Sequence, residues 1–470
     1  MVDKKRLRVE YVVSDYMASN VAWLVYNCVR YRIVDSCGGF NSLFSFLTSD
    51  MVLIGQLVFP LVMMAEYYFS GYYNEVFRKS RLQELFVTLG SALINSLVVF
   101  FIALLNDMMR NRELNYELYF LMFGLFFATV YAGRLMISGR TVRKIRQGQW
   151  YSKTLVVGHG TAAAAFVDRL RQSRDVLGYK VVGCVRIPGE KDADMDLDCY
   201  ELDSLDKVCR DEAVNELIVA PTKHDSPNVL WVIDRLFALN LPIKITPEQF
   251  GVLSKAKLSD LYGDPLVDIS SSTMSASQQN IKRLVDVVVS VVVLLALLPV
   301  FAIVAVAIKL DSKGSVFYSQ ERVGQHNKIF RIYKFRSMVT NAEHDNVPRL
   351  SSGNDSRITK VGHFLRKYRV DELPQFWNVL KGDMSLVGPR PERQYFVNQI
   401  LKRVPAYSLV HQVRPGITSM GMVKFGYAEN IDEMVRRLDY DLLYLENMSL
   451  LNDLKIMCYT VRIVFTGKGV

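Results

Sequence analysis

The sequence predicts a membrane protein in three parts: a helical N-terminal bundle with four spans, a cytoplasmic α/β middle domain, and a mainly helical C-terminal domain that begins with a re-entrant membrane helix. Three observations lead to this fold class. Four long apolar runs fill the first third of the 470 residues. Strand and helix patterns alternate in the middle third. A fifth apolar run then follows, and a proline interrupts it.

The four apolar runs lie at about residues 11–29, 50–70, 86–105 and 117–137. Each approaches the roughly 20 residues that a helix needs to cross a bilayer. The first run is the weakest, because Ser14, Asp15 and Asn20 interrupt it. Buried helices of a soluble core are the alternative, but four consecutive runs with short polar loops favour a transmembrane region over residues 1–137.

Basic residues around the runs predict their orientation. They are concentrated before the first run, after the second and after the fourth, at Lys4, Lys5, Arg6, Arg8, Arg78, Lys79, Arg81, Arg140, Arg143, Lys144 and Arg146. The other two loops contain two arginines each. Since cytoplasmic loops carry the excess of Lys and Arg, the N-terminus and everything after residue 137 are expected in the cytoplasm. Residues 138–150 then form a basic juxtamembrane linker.

The middle third has the sequence pattern of an α/β domain. The stretch KTLVVGHGTAAAAFVDRL has the pattern of a strand, a tight glycine turn and a helix. Further strands are expected at residues 180–185, 216–220 and 242–246. This alternation predicts a parallel, Rossmann-like sheet over residues 151–255, followed by a linker over residues 256–280.

The glycine turn of this domain has the spacing Gly-x-Gly-x-x-Ala, with Gly158 and Gly160 as its glycines. Such a turn lets a pyrophosphate approach the N-terminus of the next helix. However, Arg186 stands where a dinucleotide site has an acidic residue at the end of the second strand. The sequence therefore favours a structural or regulatory domain, and bound nicotinamide is the alternative.

Charge and cysteine content limit the class of protein further. The net charge of +10 suits a partner rich in phosphate, such as nucleic acid, an anionic membrane face or a charged substrate. The six cysteines show no Cys-x-x-Cys spacing. This pattern disfavours a zinc site or a disulfide framework and favours a reducing compartment.

The fifth apolar run, residues 284–308, is long enough to span the membrane. Lys282 and Arg283 precede it and two lysines follow it, so both ends are expected on the cytoplasmic side. Pro299 lies inside the run, where it bends or breaks a helix. We therefore predict that residues 281–310 enter the membrane, bend at this proline and leave on the same face. An ordinary fifth span with a proline kink is the alternative.

Basic residues are grouped in the segment that follows. Residues 328–393 contain thirteen Lys or Arg and seven Asp or Glu. The basic residues cluster in the stretches YKFRSM, FLRKYRVDEL and VGPRPER. The planar guanidinium group of arginine can donate two parallel hydrogen bonds to phosphate oxygens, so this segment predicts a phosphate-binding site.

An acidic pair, Asp371 and Glu372, lies inside this basic segment. Asp371 has the position of a helix N-cap, with Pro374 in the first turn and Gly382 at the end. A helix N-terminus also attracts anions, so a carboxylate ringed by arginines should lie close to a bound phosphate. Adjacent helix positions differ by about 100° in direction, so the two carboxylates are expected to do different jobs. One can attack phosphorus while the other orients a proton or a Mg²⁺ ion.

Several motifs in order give a specific resemblance. The run DELPQFWNVLKGDMSLVGPRPE follows YKFRSM and precedes RPGIT and YDLLYLENMSLLNDLKI. Together they resemble the bacterial polyprenyl-phosphate sugar-1-phosphate transferases of the monotopic type, a family of phosphoglycosyl transferases. The resemblance covers residues 281–470 and implies a catalytic domain at 311–470. With the spans and the middle domain, the chain looks like the long form of the family, such as the undecaprenyl-phosphate glucose or galactose phosphotransferases.

The resemblance implies a reaction and a place for it. A sugar 1-phosphate would pass from a UDP-sugar to undecaprenyl phosphate through a covalent aspartyl-phosphosugar, giving undecaprenyl-diphosphate-sugar and UMP. This would be the first membrane step of exopolysaccharide, capsule or O-antigen synthesis, at the cytoplasmic face of the bacterial inner membrane. Membrane lipid and a second copy of the chain, as a homodimer, are implied partners, and nucleic acid is not.

The resemblance also implies roles for individual residues. Asp371 would be the nucleophile and Glu372 its acidic partner, and the two would hold Mg²⁺. Phosphate binding is expected from Lys334, Arg336, Arg366, Arg390 and Arg414. Asp441 and Asp383 are further acidic candidates, and for Asp383 a structural role is an equal alternative.

One departure and two rival functions stay open. The membrane helix of the family usually breaks at Ser-Pro, whereas this chain has Leu298 and Pro299, which puts the geometry of the bend in doubt. A membrane-bound nucleotide-sugar dehydratase would need a Tyr-x-x-x-Lys pair, and none of the 24 tyrosines has a lysine four residues later. An inactive scaffold or regulator of polysaccharide assembly is the second rival, which the intact Asp-Glu pair disfavours.

Overall fold

The computed structural model describes residues 4–33, 39–77, 79, 81–106, 112–172, 178–222, 227–237, 239, 241–246, 257–258, 266–269, 273–340 and 355–466. The chain divides into two compact units. The first contains Met1–Ser152 and Gln172–Lys180, and the second contains Lys153–Arg171 and Val181–Val470.

The first unit is built from five helices: α1 (Lys4–Ile33), α2 (Leu43–Leu47), α3 (Asp50–Phe69), α4 (Arg81–Asn106) and α5 (Arg112–Arg146). α1 packs against α3 and α5, and α4 packs against α5. Within the described part of the chain, three helices are long and apolar enough to cross a membrane, at Asp50–Phe69, Glu84–Phe101 and Tyr116–Arg146. They confirm the last three predicted runs as apolar helices. The first predicted run lies in α1, which is less apolar, so a span there stays a prediction.

The polar residue that weakens the first run has a buried partner. Both oxygens of the Asp15 carboxylate accept hydrogen bonds from Arg134 of α5, at 3.0 and 2.9 Å. Both side chains are fully buried, and the third guanidinium nitrogen of Arg134 donates to Thr88 of α4 at 2.8 Å. A charge away from water is tolerated when it is paired in this way. The ion pair therefore explains how an acidic residue is accommodated in α1.

The second unit begins with a seven-stranded sheet. Its strands are β1 (Ser152–Val157), β2 (Tyr179–Val185), β3 (Cys199–Tyr200), β4 (Glu216–Val219), β5 (Ile243–Ile245), β6 (Lys257–Leu258) and β7 (Val267–Asp268), and its helices are α6 (Thr161–Gln172), α7 (Leu205–Asp211) and α8 (Pro227–Phe237). The strand order is β3-β2-β1-β4-β5-β7-β6. The pairs β2–β3, β1–β4 and β4–β5 are parallel, whereas β7 is antiparallel to both its neighbours. The apolar runs of the central strands are fully buried, as parallel strands require.

Two features of this sheet differ from the sequence predictions. Part of the predicted linker, residues 256–280, contributes β6 and β7, which are too short to show an alternating pattern. Cys184 and Cys199 are register partners on β2 and β3, with Cα atoms 4.5 Å apart, and are joined as a disulfide. The scattered cysteines predicted no disulfide framework, and this one pair depends on strand register, which residue spacing does not reveal.

The C-terminal part contains α9 (Ala276–Ala296), α10 (Leu298–Asp311), β8 (Phe317–Val323), β9 (Ile329–Phe335), α11 (Lys360–Lys367), α12 (Gln375–Lys381), β10 (Ser385–Val387), α13 (Gln394–Arg403), β11 (Gly416–Thr418), α14 (Met420–Lys424), α15 (Ile431–Glu446) and α16 (Leu450–Thr466). β8 and β9 form an antiparallel hairpin, and β10 pairs with β11 in parallel. The apolar helices α9 and α10 are bent by 60° at their junction. Pro299 lies in the first turn of α10, directly after the bend, where its missing N–H costs no hydrogen bond.

Candidate active site

The acidic pair lies on a short 3₁₀ helix, Val370–Glu372, between α11 and α12. Arg369, directly before it, has a left-handed backbone with φ of 54°. A non-glycine residue in this region is uncommon and often marks a functional site. Pro374 occupies the cap position of α12, so the prediction that Asp371 is the N-cap is wrong. The carboxylate of Asp371 is thus not used to begin the helix.

Glu372 is surrounded by cations. Its Oε1 lies 2.8 Å from Nζ of Lys334 and 3.3 Å from Nη2 of Arg390, and its Oε2 lies 3.9 Å from Nη1 of Arg369. Burial alone raises the pKa of Glu372, but these three cations outweigh burial and hold the pKa below its usual range. The carboxylate is therefore ionised and fully engaged in charge pairing.

Asp371 is also buried, but its charged neighbours are arranged differently. Within the described part of the chain, no ion pair engages its carboxylate. Burial raises the pKa of Asp371 to about 6, Lys334 opposes this rise and the neighbouring charge of Glu372 adds to it. The two adjacent carboxylates consequently differ in charge environment. One is neutralised by cations, and the other, with a pKa of about 6, is mostly ionised at neutral pH.

The loop that carries Arg390 is fixed by close backbone packing. Gly388 and Gly416 face each other, and a Cβ at Gly388 would lie 2.3 Å from the carbonyl oxygen of Arg414. The amide of Gly416 donates to the carbonyl of Pro389 at 2.9 Å. Only glycine permits this approach between the two loops. The predicted phosphate-binding residues Arg390 and Arg414 therefore lie on adjacent loops.

Comparison with known proteins agrees with this site. The model of the bacterial sugar transferase family matches residues 277–467. A UDP-glucose:undecaprenyl-phosphate glucose-1-phosphate transferase of Klebsiella pneumoniae is 32% identical over 324 residues, which cover 68% of this chain and 69% of that protein. A UDP-N-acetylgalactosamine-undecaprenyl-phosphate N-acetylgalactosaminephosphotransferase of Aeromonas hydrophila is 38% identical over 274 residues, which cover 58% of this chain and 64% of that protein. The undecaprenyl-phosphate galactose phosphotransferase of Salmonella typhimurium is 29% identical over 348 residues, which cover 68% of this chain and 70% of that protein.

The chain belongs to the bacterial sugar transferase family. It is an enzyme of this class, and the matches span about two thirds of the length of these relatives. The family match includes Asp371 and Glu372 together with Lys334, Arg369 and Arg390.

Two other predicted basic residues of this sugar transferase have different surroundings. Nε of Arg366 donates to Ser337 at 3.0 Å, and its charge lowers the pKa of Asp371, so it faces the acidic pair. Arg336 instead donates to the carbonyls of Ser312 at 2.8 Å and Lys313 at 3.1 Å. These contacts hold the end of α10, and they do not support the prediction that Arg336 binds phosphate.

The further acidic candidates do not join the acidic pair. Asp441 is buried on α15 and accepts a hydrogen bond from the amide of Gly421 at 2.9 Å. Burial raises its pKa. Asp383 is partly exposed in the turn after α12. Both positions fit structural roles in the enzyme.

The sequence did not predict a second buried cluster of ion pairs. Glu392, in the same loop as Arg390, pairs with Arg437 of α15 at 2.6 Å and with Arg322 of β8 at 3.1 Å. Burial opposes ionisation, but the two arginines hold the pKa of Glu392 below its usual range. The run VGPRPE contained this glutamate, but its partners are distant in sequence, and no spacing rule connects them.

Tyr427 is another site residue that the sequence did not single out. Its ring centre lies 5.1 Å from the guanidinium carbon of Arg369 and 5.0 Å from that of Arg390. Burial, and then the charge of Glu372, raise its pKa, so the phenol stays protonated. Contacts of this kind stabilise guanidinium groups and help to orient the two arginines towards Glu372. A lone tyrosine in a loop carries no pattern that could have predicted this.

Among the described residues, no group of three or more His, Cys, Asp or Glu side chains lies together. Mg²⁺ typically uses one or two carboxylates together with substrate phosphates and water, so the acidic pair would be the protein's contribution to such a site. Oε1 of Glu372 is occupied by two cations, whereas Oε2 has only the longer contact with Arg369. The carboxylate of Asp371 and Oε2 of Glu372 therefore fit such an ion.

Proposed function

We propose that the protein transfers a sugar 1-phosphate from a UDP-sugar to undecaprenyl phosphate, through a covalent phosphosugar on Asp371. One observation carries the proposal: the two adjacent buried carboxylates differ in their surroundings, since Glu372 is paired with three cations and Asp371 has no ion pair among the described residues, and their pKa values shift in opposite directions. The names of the relatives, which act on UDP-glucose or undecaprenyl phosphate, support the choice of substrates.

In the first step, a carboxylate oxygen of Asp371 attacks the phosphorus that bears the sugar. The bond from this phosphorus to the bridging oxygen breaks, and UMP leaves with that oxygen. In the second step, a phosphate oxygen of undecaprenyl phosphate attacks the same phosphorus. The acyl-phosphate bond breaks, the carboxylate is restored, and the product is undecaprenyl-diphosphate-sugar. Splitting the transfer lets one site accept two anionic substrates in turn.

The cations of the site act on the phosphoryl oxygens. Lys334 and Arg390 are held in place by Glu372, and the charge of Arg366 lowers the pKa of Asp371. Such fixed charges stabilise the charge that develops during phosphoryl transfer. Mg²⁺ bound by the acidic pair would neutralise further phosphate charge, which is the chemistry it supplies in related reactions.

We propose that α9 and α10 form a re-entrant pair, because the same C-terminal domain holds both of its ends. Lys282 of α9 donates to the carbonyl of Val387 at 2.9 Å, and Arg283 donates to that of Val379 at 2.7 Å. At the other end, Arg336 of β9 donates to the carbonyl of Ser312 at 2.8 Å. A helix pair held at both ends by one folded domain returns to the face from which it started. This supports a catalytic domain on the cytoplasmic face of the inner membrane, behind four N-terminal spans.

We propose that the middle domain is Rossmann-like and structural. Its strand order β3-β2-β1-β4-β5 is the 3-2-1-4-5 order of that fold. The glycine turn already holds an anion of the chain itself: the carboxylate of Glu190 accepts from the amide of His159 at 3.2 Å and from that of Thr222 at 2.7 Å. A carboxylate at this position competes with a dinucleotide phosphate.

The whole chain is proposed to act as a homodimer in exopolysaccharide, capsule or O-antigen synthesis. This extends the resemblance of the C-terminal motifs to the pathway in which such enzymes supply the first lipid-linked sugar. The sugar is identified by the experiment that follows.

The test is a panel of UDP-sugars mixed with undecaprenyl phosphate and Mg²⁺. We expect wild type to release UMP with one or a few of them, and Asp371→Asn to lose this activity by a factor of at least about 10³, because an amide cannot form the acyl phosphate. Asp383→Asn is the matched control and should keep activity within about twofold. Intact-mass analysis with UDP-sugar alone should show the mass of one phosphosugar on wild type. Turnover by Asp371→Asn would remove this residue from the nucleophile role, and no UMP release from any UDP-sugar would favour an inactive scaffold.

A further inference from the structure

A cavity of about 260 Å³ adjoins the acidic pair. Its wall includes Glu372, Leu373, Phe376, Ile417, Val461 and Val464. The wall thus combines one end of the catalytic dyad with aliphatic and aromatic side chains from α12, β11 and α16. Arg369, which also faces Glu372, completes the charged part of the wall.

The apolar part of this wall is held in place by specific contacts. The hydroxyl groups of Thr460 on α16 and Thr418 on β11 are 2.7 Å apart. Near its beginning, α16 is fixed through Asp453, which pairs with Lys282 at 2.5 Å and accepts from the hydroxyl of Tyr444 at 2.7 Å. The position of α16 against the domain is therefore determined at two points, and the cavity is a built feature of the site.

The lining restricts what the cavity can hold. Thr460 is its uncharged polar residue, and the Thr460 hydroxyl is already bonded to Thr418 and to the carbonyl of Ile456. A sugar or a nucleobase would leave its hydrogen-bonding groups unpaired against such a wall, which is costly. A hydrocarbon chain has no such groups, and its burial there is favourable.

We propose that this cavity binds the isoprene units next to the phosphate of the polyprenyl-phosphate acceptor. The inference rests on the proposed function, in which that phosphate attacks the adduct on Asp371. An amphiphile with an anionic head and a hydrocarbon tail matches this cavity. Arg369 and the neighbouring cations attract the head, and the apolar side chains of the wall contact the tail. An apolar cavity of about 150 Å³ binds benzene, so a cavity of this size takes about one or two five-carbon units.

The arrangement also gives a reason for chain selectivity. A short alkyl phosphate would reach the cations but leave the apolar wall empty. Each additional buried methylene group strengthens binding by about fourfold. The cavity would therefore favour a polyprenyl phosphate over inorganic phosphate or a short-chain phosphate as the second substrate.

The first test places a charge in the cavity and the same charge outside it. Val461 and Leu454 are both on α16, seven residues apart and 54% and 53% exposed, but only Val461 lines the cavity. We expect Val461→Asp to raise the KM for undecaprenyl phosphate by at least about tenfold, with a change below about twofold in the KM for the UDP-sugar. Leu454→Asp should change both constants by less than about twofold. Equal effects of the two variants, or an unchanged lipid KM in Val461→Asp, would overturn the assignment.

The second test measures binding in the cavity and does not require turnover. Farnesyl phosphate with a diazirine on its first isoprene unit is photolysed with the full-length protein in detergent, and labelled peptides are mapped by mass spectrometry. We expect label on peptides of α12 and α16, competition by unlabelled farnesyl phosphate but only weakly by farnesol, and loss of the label in Val461→Asp. Label confined to α9 and α10 would refute the cavity as the isoprene site. If wild type releases no UMP from any UDP-sugar, the proposed reaction fails, while the label still decides the binding site.

Discussion

At the scale of single residues, the site depends on the contrast between two neighbouring carboxylates. Glu372 is surrounded by Lys334, Arg390 and Arg369, and Asp371 is buried beside it without an ion pair among the described residues. An ionised Glu372 raises the cost of a second charge at Asp371, and it also holds the cations where a phosphate will arrive. In the proposed mechanism, Glu372 organises the site and Asp371 reacts.

This contrast predicts a pH dependence. Attack requires ionised Asp371, and its pKa is about 6. Below that pH the carboxyl group is protonated, so the rate of UMP release should fall as the pH decreases through about 6 and should be level above about 7. The measurement is a pre-steady-state burst of UMP from a UDP-sugar alone, between pH 5 and 8.

Glu372→Gln provides the sharper form of this prediction. The substitution removes the negative charge that raises the pKa of Asp371 and frees Lys334 to act on it. Both changes lower the pKa of Asp371. The acid limb of the pH profile, in which the rate of UMP release falls with decreasing pH, should therefore move to lower pH, even though the rate itself falls. Asp383→Asn should leave the limb in place. A limb at the same pH in Glu372→Gln and wild type would show that another group controls it.

At the scale of elements, Glu392 connects three parts of the C-terminal domain. It lies in the loop of Arg390 and pairs with Arg437 on α15 and Arg322 on β8. Glu392 and Arg437 are buried, and the side chain of Arg322 is 16% exposed. Removal of the carboxylate would leave the buried guanidinium of Arg437 and the largely buried guanidinium of Arg322 without their counter-charge.

We expect Glu392→Gln to lower the free energy of unfolding by about 3–5 kcal/mol, the usual cost of breaking a buried ion pair on one side. The measurement is the midpoint of thermal unfolding of the purified enzyme. Asp432→Asn breaks the exposed pair with Arg403 and is the matched control, with an effect below about 1 kcal/mol. Equal midpoints for the two variants would contradict a supporting role for this cluster.

The sequence predicted those elements whose signal is local. Val156 and Ile218 belong to short apolar runs, and both are fully buried in strands of a largely parallel sheet. The acidic pair and its basic neighbours were found because the charges are grouped within one segment. Contacts between distant segments were missed, as with Glu392 and Arg437, 45 residues apart. Arg336 shows the opposite limit of sequence prediction. Its residue type predicted a phosphate ligand, but its position beside the end of α10 gives it carbonyl partners.

At the scale of the whole molecule, the N-terminal helices raise the question of how a polar residue is kept in an apolar bundle. Asp15 and Arg134 are fully buried and joined by two hydrogen bonds. Tyr73 donates a third hydrogen bond to Asp15 at 2.9 Å. The pair connects the first helix of the bundle with the last, so the integrity of the bundle depends on it.

Asp15→Asn therefore tests whether the N-terminal bundle and the active site can be perturbed separately. It leaves the guanidinium of Arg134 buried without its counter-charge, at a cost of about 3–5 kcal/mol. We expect severalfold less folded protein in isolated membranes, because a loss of this size is a large part of the stability of a domain. UMP release per mole of folded protein should stay within about twofold, since every residue of the proposed mechanism lies after residue 333. Glu10→Gln removes a more exposed partner of Arg140 and is the control, with normal amounts of protein expected. Normal membrane levels of Asp15→Asn would show that the buried pair contributes little, and a large loss of activity per folded molecule would show that the bundle acts directly on the chemistry.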